Sequence, residues 1–343
     1  MADAAAGDGA GRTAVVTGAA GFLGRALRQG LQRRGWSVRG VDVRPGPDVV
    51  PGDVSRAGAW TTVLEGAELV VHCAAITNES ADASTFWRVN VEGTRTVLRE
   101  AARAGVARVA HLSSTIVHGT AFTDGVDETG PVRMTGNPYT DTTVSAEHQA
   151  LMAHARGDVA VTIVRPGDVY GPHGQLWTVR PVELMRRGRF VLIDGGRGVL
   201  SPTYLDDAVA GVLAAALSQR TAGEVLHITG GVGVTAGDFF GRYTDVLGRP
   251  LRSLPAVAAA AITGPVDAVS RSLGWQPSFS PRAIEYVTHP GTYSIAKASE
   301  LLGWEPAVDL DEGMERTIGW LTDTGLVRPD EGPGEEPTVG EEP

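Results

Sequence analysis

The chain has 343 residues, 42% of them apolar, a formal net charge of −10 at pH 7 and one cysteine. That length permits one large domain or two intimate ones around a sizeable core, and the acidic balance disfavours nucleic acid and anionic membrane as partners. Cys73 alone excludes an intramolecular disulfide.

The first eleven residues, MADAAAGDGAG, have neither a basic start nor a long apolar run. They are expected to be a disordered tail and not a signal peptide, with the cytoplasm as the default compartment. From Thr13 onward, short β-branched runs (TAVVTG, SVRGVDV, AELVVHCAA, VARVAHLSS and VAVTIVRP) alternate with amphipathic or turn-rich segments. That rhythm predicts an α/β fold, a Rossmann-like doubly wound parallel sheet with helices on both faces, over residues 12–171. Two of its helices, Phe22 to Arg34 and Thr85 to Ala104, each stop at a glycine, Gly35 and Gly105.

After Gly171 the rhythm breaks. A helix around Thr178 to Arg187, a strand FVLID, a helix from Leu205 to Leu217 and a strand EVLHITG predict a smaller C-terminal substrate-binding lobe over 172–327. The chain is expected to return to the main sheet near 200–230. The apolar stretch LPAVAAAAITGPV is too short, and too interrupted by Gly and Pro, to span a bilayer. Residues 328–343 are Pro, Gly and Glu-rich and predict a disordered acidic tail. The segment after Arg328 holds six carboxylates and no base, which leaves the rest of the chain at only about −4.

The first strand runs into Gly18-Ala19-Ala20-Gly21-Phe22-Leu23-Gly24, and a helix follows. Glycines at this spacing permit a tight turn, close backbone approach to a pyrophosphate and close packing of helix on strand. Asp42 ends the second strand, where its carboxylate can accept from both ribose hydroxyls, so NAD is favoured over NADP. Arg44 either pairs with a 2′-phosphate, leaving NADP open, or is a solvated strand-end arginine. Asp53 either holds the adenine amino group or is a turn aspartate.

Seven motifs in order, TGAAGFLG, GDV, HCAA, NVEGT, LSSTIVHG, PY and RPGDVYGP, resemble the extended short-chain dehydrogenase/reductases. Within them the chain looks most like the 3β-hydroxysteroid dehydrogenase-like and nucleotide-sugar epimerase/dehydratase branch, from about Arg12 to Leu321. The resemblance implies cofactor contacts from Gly18, Ala20, Gly21, Phe22, Leu23, Gly24, Asp42, Arg44, Asp53 and Val54. It implies further contacts from Cys73, Ala74, Ala75, Thr77, Asn90, Pro166 and Gly167. It also implies a homodimer joined through the helices at Thr85 to Ala104 and Pro138 to Ala155.

In that family a Ser or Thr and a Tyr hold the reacting oxygen, and a Lys four residues after the Tyr binds the nicotinamide ribose and acidifies the phenol. Here Ser114 and Tyr139 match the first two, and Thr143 stands where the lysine would be. The family's dehydratases place Asp-Glu after the hydroxyl residue; here Thr115-Ile116 follows, which argues against sugar 4,6-dehydration. Without the cation Tyr139 is expected to stay near the free phenol value of about 10. Drift in a lysine-poor chain would favour arginine, and this chain has one lysine, Lys297, against twenty-nine arginines. Thr143 therefore predicts altered or lost chemistry. His118 and His173, in the loops after strands, are candidate substitute acid–base groups. No metal-ligand spacing stands out.

The leading expectation is an NAD(H)-dependent oxidoreductase acting on a hydroxyl or ketone of a small molecule, steroid-like or specialised. The alternatives are a redox-neutral cyclase, isomerase, epimerase or lyase using Tyr139, Ser114 or His118, and a catalytically silent NAD-binding sensor.

Overall fold

The computed structural model describes residues 9–327 except 78–80, 249, 260 and 262–280. Of the expected tails at 1–11 and 328–343, residues 1–8 and 328–343 lie outside the described residues, as do residues 260 and 262–266 of LPAVAAAAITGPV; Gly9, inside the first expected tail, donates its amide to the Arg34 carbonyl at 3.0 Å.

Seven strands form one wholly parallel sheet: β1 (Thr13–Thr17), β2 (Ser37–Asp42), β3 (Val49–Pro51), β4 (Leu69–His72), β5 (Arg108–Leu112), β6 (Ala160–Pro166) and β7 (Val225–Ile228), in the order β7-β6-β5-β4-β1-β2-β3. Six of these are the β-branched runs of the sequence. The seventh, β3, is only three residues long, too short for an alternation pattern to announce it.

Strand residues alternate between two apolar layers. Ala14, Val16, Leu69, Val71, Ala110 and Val164 point to one face, where α1 (Phe22–Arg33) and α4 (Leu205–Leu217) cover them with Leu27, Leu31, Val212 and Leu213. Val15, Val70, Val109 and Ile163 point to the other, under α2 (Gly93–Arg103) and α3 (Pro138–Ala155). These side chains are fully or almost fully buried, and each Val, Leu or Ile so placed contributes about 1.5–3 kcal/mol relative to exposure.

The chain forms two compact units. The first comprises the described residues up to Val169, then Ser201–Gly233 and His289–Val308; the last segment adds Ala298 and Trp304 to the core beside α1 and α4. The second comprises Tyr170–Leu200, Val234–Thr288 and the described residues from Asp309 onward. Within it Val191–Ile193 pairs in parallel with Arg252–Leu254, and Val199–Leu200 pairs antiparallel with Val234–Thr235. Trp177, Phe239 and Phe240 pack ring against ring, and the Tyr243 hydroxyl donates to the Trp177 carbonyl at 3.0 Å. The expected helix at 178–187 runs as Arg180–Arg186, with a wider turn over Gln175–Val179 before it.

Candidate active site

The loop between β1 and α1 is shaped by its glycines. Gly18 sits at φ +67°, where a side chain is strained, and a Cβ there would lie 2.8 Å from the Ala74 backbone nitrogen. A Cβ on Gly24 would overlap the Gly18 carbonyl oxygen. The first turn of α1 can therefore close on the loop only with glycine at that position. No side chain caps α1, so its first amides remain available to an anionic ligand at the positive end of the helix dipole.

Asp42, at the end of β2, is 6% exposed. Its Oδ2 accepts from the Ala20 amide at 3.0 Å, and its Oδ1 accepts from the Arg44 amide at 2.9 Å. These bonds tie the end of β2 to the phosphate loop and hold a negative charge beside it. The exposed Arg44 guanidinium lies 3.4 Å from the same Oδ1 and is turned toward Asp42. Asp53 accepts from the Ser55 amide at 3.0 Å, a turn contact, and its other oxygen lies 3.5 Å from Arg88. Val54 is buried against Gly93.

The next wall of the groove is the segment after β4. The Ala74 amide donates to the Thr17 hydroxyl at 3.3 Å, while Ala75 and Thr77 are exposed. Cys73 is partly buried, and burial drives its thiol pKa far up. Asn90 sits in a stretch of wide helical winding, Trp87–Glu92, just before α2. Its amide oxygen accepts from the Ile76 amide at 2.8 Å, and its nitrogen donates to the Ile76 carbonyl at 3.0 Å and the Thr142 hydroxyl at 3.1 Å. One side chain thus fastens the groove segment to α3. Across the sheet, Gly167 follows Pro166 at the end of β6 and donates its amide to Ile228 at 3.1 Å.

Tyr139 is placed by local sequence. Asn137 caps α3 by accepting from the Tyr139 amide at 2.9 Å, and Pro138 fills the first helical position. Tyr139 therefore lies in the first turn. Ser114 opens the short turn Thr115–His118, its hydroxyl accepting from the Ile116 amide at 3.2 Å. Burial raises the phenol pKa of Tyr139, and hydrogen bonds with Ser114 and Thr143 pull it partway back. The structure therefore brings Ser114, Tyr139 and Thr143 together. Thr143 also donates to the Tyr139 carbonyl at 2.7 Å, so its proton is spent on its own helix. The only lysine, Lys297, is paired at 2.8 Å with Glu224, at the opposite, amino edge of the sheet.

Of the two histidines singled out in the sequence, His118 ends the turn that Ser114 opens, and His173 lies in the second unit. His118 is fully buried. Its Nδ1 lies 3.0 Å from the Pro131 carbonyl, which requires a proton on that nitrogen, so Nε2 accepts from Arg165 Nη1 at 3.2 Å and faces His227 Nε2 at 3.0 Å. Both ring nitrogens are therefore engaged, and burial followed by the Arg165 charge lowers the pKa. His173 belongs to the second unit and packs its ring against Trp320.

Sequence reasoning gave no role to Glu147, Arg165, Ser113 or His227. Arg165 grips Glu147 through two bonds of 2.8 Å, both side chains 3% exposed, and Ser113 donates to the same carboxylate. Arg165 and Ser113 both lay inside quoted motifs; what the sequence could not supply was their convergence on Glu147, eighteen and thirty-four residues away. Among the described residues no group of three or more His, Cys, Asp and Glu is arranged to hold a metal ion.

A parallel sheet that carries a glycine turn, an uncapped helix start and an acid at the end of β2 is a dinucleotide-binding Rossmann unit. The chain belongs to the NAD-dependent epimerase/dehydratase family, whose sequence profile matches residues 14–229, and it is an enzyme of the extended short-chain dehydrogenase/reductase type. Sterol-4-alpha-carboxylate 3-dehydrogenase, decarboxylating, from Bos taurus is 27% identical over 322 residues, covering 88% of this chain and 90% of that one. A 4-hydroxy-2-methyl-3-oxo-4-farnesyl-3,4-dihydroquinoline-1-oxide ketoreductase from Stigmatella aurantiaca is 29% identical, covering 88% and 94%. Among solved structures, MoeE5 in complex with UDP-glucose and NAD superposes with a TM-score of 0.76 at 26% identity, over 91% of this chain and 99% of that one. The cofactor is NAD, and the loop, the free helix start and Asp42 fit it.

Proposed function

We propose that the protein is an NAD(H)-dependent reductase of a ketone on a small molecule, steroid-like or specialised, with Tyr139 as proton donor and Ser114 as the group that orients the carbonyl oxygen. The observation that carries this reading is the burial of the Tyr139 phenol beside an uncharged residue, Thr143. Burial raises its pKa, and the neighbour four residues on is a hydroxyl with its proton already committed. Such a phenol is neutral throughout the physiological range and can give a proton, but it is a poor base.

When bound, the reduced nicotinamide supplies a hydride to the carbonyl carbon. Ser114 donates a hydrogen bond to the carbonyl oxygen, and Tyr139 Oη passes its proton to that oxygen as negative charge builds there. Asp42 anchors the adenosine ribose, and the amides at the start of α1 hold the pyrophosphate. Asn90 keeps the groove segment and α3 in register. The ketoreductase relative supports the reductive direction, and Thr115-Ile116 after Ser114 leaves no Asp-Glu pair for a sugar-dehydratase route.

A homodimer through the helical layer of α2 and α3 is part of the same reading. Trp87, in the winding that leads into α2, and Leu151 and Met152, on α3, are 47%, 37% and 43% exposed, and a second copy would cover them. Among the described residues no helix is long and apolar enough to cross a membrane.

The test follows NADH at 340 nm against a panel of cyclic and acyclic ketones. Turnover by the wild type that disappears in Tyr139→Phe supports reduction. No turnover with any ketone, together with tight NADH binding, would turn the reading toward redox-neutral chemistry.

A further inference from the structure

We propose that the buried Glu147–Arg165 pair is the positioning device of the active site, a strut that sets the Ser114-bearing turn against the helix that carries Tyr139. The proposal rests on the reading of Ser114 and Tyr139 as the reacting hydroxyls.

The geometry is specific. Glu147 stands eight residues after Tyr139 on α3, about two turns along the same helix face. Ser113, immediately before Ser114, donates to its carboxylate. Arg165, on β6, clamps that carboxylate with Nε and Nη2, both at 2.8 Å, and sends its remaining Nη1 to His118 Nε2 at 3.2 Å. His118 is the last residue of the turn that Ser114 caps. The segment 113–118 is thus tied at both ends to one ion pair, and one partner of that pair is rooted in the Tyr139 helix.

A planar guanidinium fixes three directions at once, which a lysine at Arg165 would not. Neither charge reaches solvent, and both sides of the fork are satisfied, so the pair behaves as a rigid spacer. His227, whose Nε2 faces His118 and whose Nδ1 lies 3.1 Å from the Ser294 carbonyl, closes the far side. The sequence places no family-type lysine to pull Tyr139 into place from the cofactor side. Alignment of the two hydroxyls therefore depends on this protein-internal strut.

The test removes the ties one at a time without touching the ion pair. Ser113→Ala deletes the tie beside Ser114, Ser113→Thr keeps the hydroxyl, and His118→Leu deletes the acceptor at the other end. Rates are measured on the ketone of the panel that NADH reduces fastest, with Tyr139→Phe as reference. The expected result is a loss in kcat on the order of 10–100-fold for Ser113→Ala and His118→Leu, with the ketone KM and the NADH Kd unchanged, and near-full recovery in Ser113→Thr.

A second measurement needs no substrate. The phenol of Tyr139 is titrated by its ultraviolet difference against Tyr139→Phe, and loosening Ser114 is expected to move the midpoint upward in Ser113→Ala but not in Ser113→Thr. Wild-type kcat and an unmoved midpoint in Ser113→Ala, while Tyr139→Phe is inactive, would overturn the strut and leave the reductase reading intact. Full activity in Tyr139→Phe would overturn the reading and the strut with it.

Discussion

Thr143 donates its hydroxyl proton to the backbone carbonyl of Tyr139, one turn earlier on the same helix, at 2.7 Å. The side chain that occupies the position of a cation is satisfied by its own helix. It carries no charge, and its hydrogen bond to Tyr139 offsets only part of the burial that raises the phenol pKa. The proposed reductive direction rests on that absence of charge.

Thr143→Lys is expected to convert a one-way proton donor into a two-way acid and base. A cation at this distance lowers a phenol pKa by about 1–3 units, which raises the tyrosinate fraction at neutral pH roughly 10–1,000-fold. Alcohol oxidation with NAD at pH 7.5 should rise by a comparable factor, and ketone reduction should change far less. Equal gains in both directions would show that the lysine acts on cofactor binding and not on the phenol.

In the wild type, ketone reduction should be flat with pH across the neutral range and fall only as the medium approaches the raised pKa of Tyr139. The sign follows from the protonated phenol being the active form. Oxidation should show the opposite limb, rising with pH. A reduction profile that falls between about pH 6 and pH 8 would implicate a histidine instead.

Asp42→Ala should weaken NADH binding by roughly 10–100-fold, the equivalent of about 1.5–3 kcal/mol for hydrogen bonds to a charged group. The same change removes the like charge facing a 2′-phosphate and frees Arg44, so NADPH should lose less affinity than NADH, or gain. Fluorescence titration of both cofactors measures the ratio. An unchanged NADH-to-NADPH ratio would remove Asp42 from the ribose site.

Acid should destabilise the fold through its buried histidines. Burial lowers His111 to about 4, partly offset by Glu147, and burial with the His118 and Arg165 charges lowers His227 to about 3. Both folded values lie below the unfolded 6.5, so the unfolded chain binds more protons. The associated stability is complete above pH 6.5 and is lost as pH falls toward 4, by about 1.4 kcal/mol per pH unit for each histidine. Urea midpoints between pH 7 and pH 4.5 should fall steeply, and less so in His227→Asn. Equal slopes in the two proteins would show that His227 is not a source of the loss.

Much was legible before any coordinates. The β-branched runs announced six of seven strands, because a parallel sheet covered on both faces demands continuous apolar segments whatever the residues around them. Gly18, Gly24 and Asp42 were legible because each answers a local requirement: a positive φ, a missing Cβ, a charge at a strand end. Asn137-Pro138-Tyr139 specified its own helix start in the same way. The fold class and the cofactor loop were therefore written in short-range pattern.

Tertiary structure alone decided the rest. His118, a plausible proton carrier by position, is buried with both nitrogens engaged because the Pro131 carbonyl meets its Nδ1 and Arg165 arrives from 47 residues away at its Nε2. The second return of the chain, at 289–308, reaches the core through Ala298 and Trp304, which no periodicity marked. Glu147 acquires a role only when Arg165 and Ser113 converge on it. A sequence fixes which groups a chain owns and which turns it favours, since those depend on neighbours a few residues apart; which distant groups meet, and hence which charges are silenced or spent, depends on packing, and that exists only in the folded molecule.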